Sequence, residues 1–171
     1  MRSISRSTSQ LSLLSRWAAL GSREKVAVFL REIGVDARIR EFDESTKNSV
    51  LAAEALGCTI AEIAKSVVFV GARTAVVIIS GDKRVSLTKL GAALGDEVRV
   101  ATAEEVREKT GYPIGGVPPF PHNEDVWVFA DNSLARFDYV WAAAGAPNAV
   151  FRIRSKDLSA LLGTGLWELA E

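Results

Sequence analysis

Two short β-branched runs, Ser66–Val70 and Ala75–Ser80, are separated only by the turn-like Gly71-Ala72-Arg73-Thr74, and they constrain the fold more than any other feature. Valine and isoleucine are stiff at χ1 and pack well on a pleated surface, so apolar runs this short and this branched predict buried strands of a sheet. Such a sheet needs cover, and the flanking sequence supplies it.

Helical and strand patterns alternate along the chain. Val26, Phe29, Leu30 and Ile33 share one face of a helix that Ser22 can cap and Gly34 can stop. Ala37–Phe42 reads as a strand with mixed faces, Lys47–Leu56 as a helix ended by Gly57, and Thr59 as the start of a brief helix holding Ile60 and Ile63. Ser86 can cap a helix carrying Leu87, Leu90 and Leu94 before Gly95, and Val98–Ala101 is a short strand. In Thr102-Ala103-Glu104-Glu105 the hydroxyl and the carboxylate three positions on can satisfy each other's backbone donors, which starts a helix running to Gly111. Strand Val126–Ala130, apolar segment Tyr139–Ala144, strand Ala149–Ile153 and helix Ser155–Leu162 complete the pattern. The fold class predicted is mixed α/β, a single domain around a largely buried sheet.

With 171 residues, 48% hydrophobic and 25% charged, the chain has the size and balance of one ordinary globular domain. Lys+Arg and Asp+Glu are equal at 21 each, which excludes nucleic-acid binding by bulk charge but leaves room for a local basic patch. One cysteine, Cys58, and one histidine, His122, exclude a disulfide framework and His-pair metal centres. No apolar run is long enough to span a bilayer. Residues 1–23 hold four arginines, seven serines and no acid, a composition shared by transit peptides and by disordered extensions. The expectation is a disordered extension over 1–21 and a folded domain over 22–171.

Familiar catalytic signatures are missing: no G-x-S-x-G, no H-E-x-x-H, and no Walker loop. The informative segment is Thr110–Phe120, with three glycines and three prolines in eleven residues. Its path is rigid and irregular, and its amides are expected to lie outside any ladder. Gly115 and Gly116 would let a ligand approach those amides, which could hold a carbonyl or a developing oxyanion. A structural loop rounding a sheet edge is the equal alternative. Lys65, placed where a short helix passes into an apolar strand, could offer its ammonium to a phosphate or ribose oxygen, or simply snorkel to water. Ser66 could lend a hydroxyl. His122 reads as a solvated loop residue and Cys58 as a small buried filler. Lys83, Arg84 and Lys89 form either a modest basic patch or an ordinary solvated face.

Taken together, these segments resemble the YbaK/prolyl-tRNA synthetase-associated domain family of aminoacyl-tRNA deacylases. The resemblance rests, in order, on Thr46–Gly57, Ile63–Phe69, Leu87–Gly95, Thr110-Gly111-Tyr112 through Gly116-Val117-Pro118-Pro119-Phe120, Ala144-Gly145, and Lys156-Asp157-Leu158. It implies a mixed, barrel-like sheet surrounded by short helices. The implied activity is hydrolysis of the ester joining a wrong amino acid to the 3′-terminal ribose of a tRNA, often one for proline.

By the same resemblance, Lys65 contacts the terminal adenosine and Gly115 and Pro119 belong to the loop that shapes the aminoacyl pocket, which makes Lys65, Gly115 and Gly116 the catalytic candidates. Asn48, Ser66, Tyr112, Val117, Phe120, Gly145 and Asn148 become substrate-binding candidates. No metal or organic cofactor is implied. The implied partners are aminoacylated tRNA and a synthetase, with no membrane, in the cytoplasm.

Ala143–Phe151 is apolar apart from Asn148. It lacks the serine and aspartate of the family's cysteine-specific branch and the histidine of its alanine-specific branch. An apolar pocket for a small aliphatic amino acid is expected, and such a pocket excludes hydroxylated isosteres only about 100-fold. A non-catalytic module binding an acceptor end or an aminoacyl metabolite, and an esterase for small aminoacyl esters, are the other readings.

Overall fold

The two β-branched runs lie at the centre of an eight-stranded mixed sheet. The computed structural model describes residues 19–35, 37–43 and 48–171. Within them run α1 (Ser22–Glu32), β1 (Ile39–Glu41), α2 (Ser49–Leu56), a 3-10 turn (Ile60–Glu62), β2 (Ile63–Val70) and β3 (Thr74–Ser80). Then come α3 (Leu87–Leu94), β4 (Arg99–Val100), α4 (Ala103–Thr110), β5 (Val126–Asp131) and a second 3-10 turn (Asn132–Arg136). Strands β6 (Tyr139–Ala143) and β7 (Ala149–Arg154), helix α5 (Ser155–Leu162) and β8 (Leu166–Trp167) end the chain.

Neighbouring strands follow the order β1-β7-β6-β2-β3-β5-β8, with β4 joining β2 off that path. Strand β3 is sealed on both faces: Ala75, Val76, Val77, Ile78 and Ile79 are all fully buried. One face, with Ala64, Val68, Val76 and Ile78, packs under Val26 and Leu30 of α1, Val106 of α4 and Phe120. The other, with Phe69, Val77 and Ile79, packs against Leu90 of α3, Phe129 and Leu169.

Strand β2 determines where a site can form. Its β3 edge is paired from Ala64 to Val70. Its opposite edge is shared: β6 pairs with Ile63 and Ala64, and β4 pairs with Phe69 and Val70. Between them the sheet is split at Lys65–Val68. The Val68 carbonyl accepts from Ala101 N–H across this edge (2.9 Å), while the Ile63 carbonyl accepts from Gly81 N–H on the other side (2.8 Å). Strand alternation therefore turns the backbone groups of Ser66 toward the split.

Most sequence-derived elements are present, with corrected ends. Gly21, not Ser22, is the N-cap of α1, because Glu24 reaches back to the Gly21 N–H (3.1 Å). The strand in Ala37–Phe42 shrinks to Ile39–Glu41, the part that β7 pairs. Strand β2 begins at Ile63, so Lys65 lies inside a strand rather than at its entrance. Leu166–Trp167 is too short and Asn132–Arg136 too polar to signal an element in the sequence. Residues 1–18 and Lys47 lie outside the described residues.

The chain end is held by a buried carboxylate. Asp131 accepts Ser133 N–H at Oδ1 (2.9 Å), and Leu169 N–H (2.7 Å) and Ala170 N–H (3.0 Å) at Oδ2. Asp131→Ala should cost about 3–5 kcal/mol, since it orphans buried donors of charge-assisted bonds; urea unfolding reads this directly. On the surface, Arg99 and the capping bonds from Thr102 hold the Glu105 carboxyl down to about 2. A depressed carboxylate stabilises above its unfolded value and loses that contribution as pH falls toward its folded one. Glu105→Gln should therefore lower Tm at neutral pH, and the gap from wild type should close between about pH 4.5 and 2.

Candidate functional site

The split in the sheet opens into a hollow of about 400 Å³. Its floor is apolar, formed by Ala52 of α2, Ile63 and Val67 of β2, Trp141 and Ala143 of β6, and Val150 of β7. Ile114, Gly115 and Val117 close it from the glycine- and proline-rich loop, while Asn48, Ser49, Lys65, Ser66 and Gly81 supply polar groups. A small apolar group would lie on this floor with a polar end among those groups.

Lys65 is half-buried, and its ammonium donates to the carbonyls of Gly81 (3.2 Å) and Lys83. Two carbonyls leave one of the three N–H donors for a ligand. Burial lowers its pKa, Asp82 opposes that shift, and Arg84 adds to it. Asp82 itself is engaged in a two-pronged pair with Arg136 (2.7 and 3.1 Å), which also donates to Ser133 O. Gly81 lets this turn approach: a Cβ there would lie 2.3 Å from the Ile60 carbonyl.

Next to it, the Ser66 hydroxyl is buried and has no hydrogen-bond partner among the described residues. A buried hydroxyl without a partner costs free energy unless something else meets it. Asn48 lies at the rim, where its Oδ1 caps α2 by accepting Leu51 N–H (2.9 Å).

The structure thus brings Asn48, Lys65, Ser66, Gly115 and Val117 together around one hollow. The other candidates lie elsewhere. The Gly116 amide is not free, because it donates to Pro113 O (2.9 Å). The space a Gly116 side chain would need is filled by the Ala146 backbone, 2.8 Å from a built Cβ, so close approach there serves packing. Gly115, at φ 78, lines the hollow, and its amide has no backbone acceptor among the described residues.

Tyr112 is buried behind the loop, donating its hydroxyl to Pro121 O (2.9 Å), and burial raises its pKa. Pro119 is buried, and Phe120 packs between Phe29 and Phe151 in the main core. Gly145 meets the start of α1, where a Cβ would lie 2.4 Å from Ser22 O. Asn148 donates to Phe42 O (2.9 Å), a bond that fastens β1's exit to the turn before β7.

His122 departs from expectation. It is partly buried: Nε2 donates to Pro118 O (2.7 Å), the ring meets Tyr112 edge-on, and Nδ1 is buried with no partner among the described residues. Burial lowers its pKa, against the pull of the Pro118 carbonyl. Cys58 is half-buried against Ala52, Ala53 and Ile63, and burial raises its thiol pKa. Lys89 serves the chain end by donating to Ala170 O (2.7 Å).

Sequence reasoning missed Gly81 and Trp141. Neither stands in a recognisable motif, and only the pairing of Trp141 with Ile63 across β6 and β2 brings the indole to the hollow.

The profile of the aminoacyl-tRNA editing domain matches residues 43–161. The chain belongs to that family. A curated relative, the uncharacterized protein YwhH of Bacillus subtilis (strain 168), is 35% identical over 131 residues, covering 75% of this chain and 83% of that one. Among solved structures, a candidate trans-editing enzyme for prolyl tRNA synthetase is 39% identical with a TM-score of 0.80, covering 88% of this chain and 97% of its own. The hypothetical protein APE2540 is 30% identical with a TM-score of 0.81, covering 86% and 99%. The family places this chain in tRNA editing. No helix among the described residues is long and apolar enough to cross a membrane.

Gly116→Ala should cost about 1–3 kcal/mol through collision with the Ala146 backbone. Chemical unfolding would check it; a neutral result would mean that the loop and the 145–147 turn are not tightly packed.

Proposed function

We propose that the protein is an aminoacyl-tRNA deacylase acting in trans, which hydrolyses the ester of a mischarged tRNA, a tRNA for proline carrying a small aliphatic amino acid. The observation that carries this reading is the hollow at the β2 split: an apolar floor sized for a small side chain, with the Lys65 ammonium and the Gly115 loop at its polar side. Similarity to a candidate trans-editing enzyme for prolyl tRNA synthetase supports proline tRNA as the adaptor.

In the reaction, water adds to the ester carbonyl carbon, the bond to the ribose oxygen breaks, and that oxygen takes up a proton. The described lining includes no carboxylate or imidazole, so proton transfer falls to water and to the substrate's own 2′-hydroxyl. The protein then contributes position and electrostatics. The remaining Lys65 donor meets the terminal nucleotide, the Ser66 hydroxyl gains the partner it lacks, and the Gly115 amide faces the carbonyl oxygen as charge develops. Loss of one such donor typically costs about 100- to 1000-fold in kcat.

The same lack of a side-chain base in the described lining favours the second reading, a module that binds an aminoacylated end without turnover. A panel of mischarged tRNAs separates the two. Deacylation by the wild type, lost by about 100-fold or more in Lys65→Ala with unchanged thermal unfolding, supports the enzyme. Intact esters at high protein concentration sink it, and saturable binding without ester loss establishes the module.

A further inference from the structure

Beyond Trp141, the sheet face that floors the hollow continues as a ladder of arginines over aromatic rings. Trp141 pairs with Arg152 across β6 and β7, and Tyr139 pairs with Arg154 one step further along. Residues 139, 141 and 143 alternate to the same face, so Tyr139 stands about 7 Å beyond Trp141 and about 13 Å beyond Ala143 at the usual strand rise. The Arg40 guanidinium lies 5.6 Å from the Trp141 ring centre and 5.7 Å from that of Phe42. Arg152 lies 4.2 Å and Arg154 5.5 Å from the Tyr139 ring, and the Tyr139 hydroxyl accepts from Arg154 Nε (3.0 Å). All three arginines are exposed.

We infer that this face is the track for the unpaired 3′ strand of the RNA, leading its terminal nucleotide into the hollow. This deepens the deacylase reading and rests on it for the identity of the strand. Three features favour a nucleic-acid strand. Guanidinium groups lying over rings offer stacking surfaces to bases as well as charge to phosphates. The face is continuous with the hollow through Trp141, which lines it. The stretch beyond the hollow, about 7 Å from Trp141 to Tyr139, suits two stacked nucleotides at about 3.4 Å each.

Among the described residues, the nearby acids Glu62, Asp138 and Asp157 form no ion pair with the three arginines. Glu62, the carboxylate that interacts with Arg152, is engaged by the Thr59 N–H and hydroxyl (both 2.8 Å). Asp138 and Asp157 act on Arg154, at the end far from the hollow. Because the chain has formal net charge 0, binding of a polyanion requires such a local arrangement rather than bulk attraction.

The test is fluorescence anisotropy with a labelled, uncharged RNA hairpin ending in an unpaired 3′ overhang, beside the same hairpin with a blunt end. Wild type should prefer the overhang. Arg40→Ala with Arg152→Ala, both outside the hollow, should weaken overhang binding about ten-fold and flatten its salt dependence by one to two contacts at about 0.7 each. Arg40→Lys with Arg152→Lys keeps the charge but not the flat stacking surface and should fall between. On mischarged tRNA, the alanine pair should raise KM in proportion and leave kcat unchanged, with turnover of 3′-aminoacyl-adenosine unaffected.

Equal affinity for blunt and overhanging RNA, or affinity indifferent to both arginine pairs, overturns the inference and leaves the face to a protein partner. Hydrolysis of 3′-aminoacyl-adenosine would then still uphold the deacylase. Arginine-dependent RNA binding with no hydrolysis of any ester would instead defeat the deacylase and leave the track standing.

Discussion

The architecture turns on one strand edge that two partners divide. Had β6 or β4 run the full length of β2, the backbone between Lys65 and Val68 would be paired and no hollow could exist there. Because each takes only two residues of that edge, the middle of β2 faces a gap that the loop after α4 closes from outside. Strand β3, buried from Ala75 to Ser80, lies along the other edge of β2, so the gap is framed by the buried centre of the sheet. Binding groups fixed on a strand beside such a core are held more exactly than groups on a free loop, and that is what a site working by position requires.

Much of the scaffold could be read from local chemistry. Strands β2 and β3 are apolar and β-branched, α3 and α4 carry side-chain caps at Ser86 and Thr102, and α5 matches its expected span at both ends. These features depend on neighbours a few positions away. The elements that escaped notice depend on distant ones. Leu166–Trp167 becomes a strand only because β5 offers an edge and Asp131 holds Leu169 and Ala170 beyond it. Ile39–Glu41 is shortened for a related reason, since β7 pairs just that length.

The candidate site was legible in part. Lys65 and Gly115 were singled out on residue chemistry, and the structure places both at one hollow. The glycine- and proline-rich loop was expected to offer adjacent amides, but its two neighbouring glycines divide the work. One lines the hollow while the other fits against the 145–147 turn. Tyr112, Phe120 and Asn148 stand beside the site in sequence terms and yet serve the frame: Tyr112 ties the loop to Pro121, Phe120 fills the core and Asn148 fastens Phe42. No sequence pattern separates a residue that lines a cavity from one that braces its wall, because both keep company with the same glycines and prolines. His122 shows the converse, a polar loop residue drawn inward by a carbonyl four positions back.

Arg136 stands well away from the hollow, yet its grip on Asp82 bears on the charge within it. Asp82 is the carboxylate whose field reaches Lys65, and it belongs to the turn whose carbonyls hold that ammonium. Both Asp82 oxygens are engaged by a guanidinium, so Asp82 acts on Lys65 through its field rather than by a direct ion pair. The second 3-10 turn thereby fixes where that negative charge sits, and the Lys65 ammonium is steered by two carbonyls instead of a carboxylate.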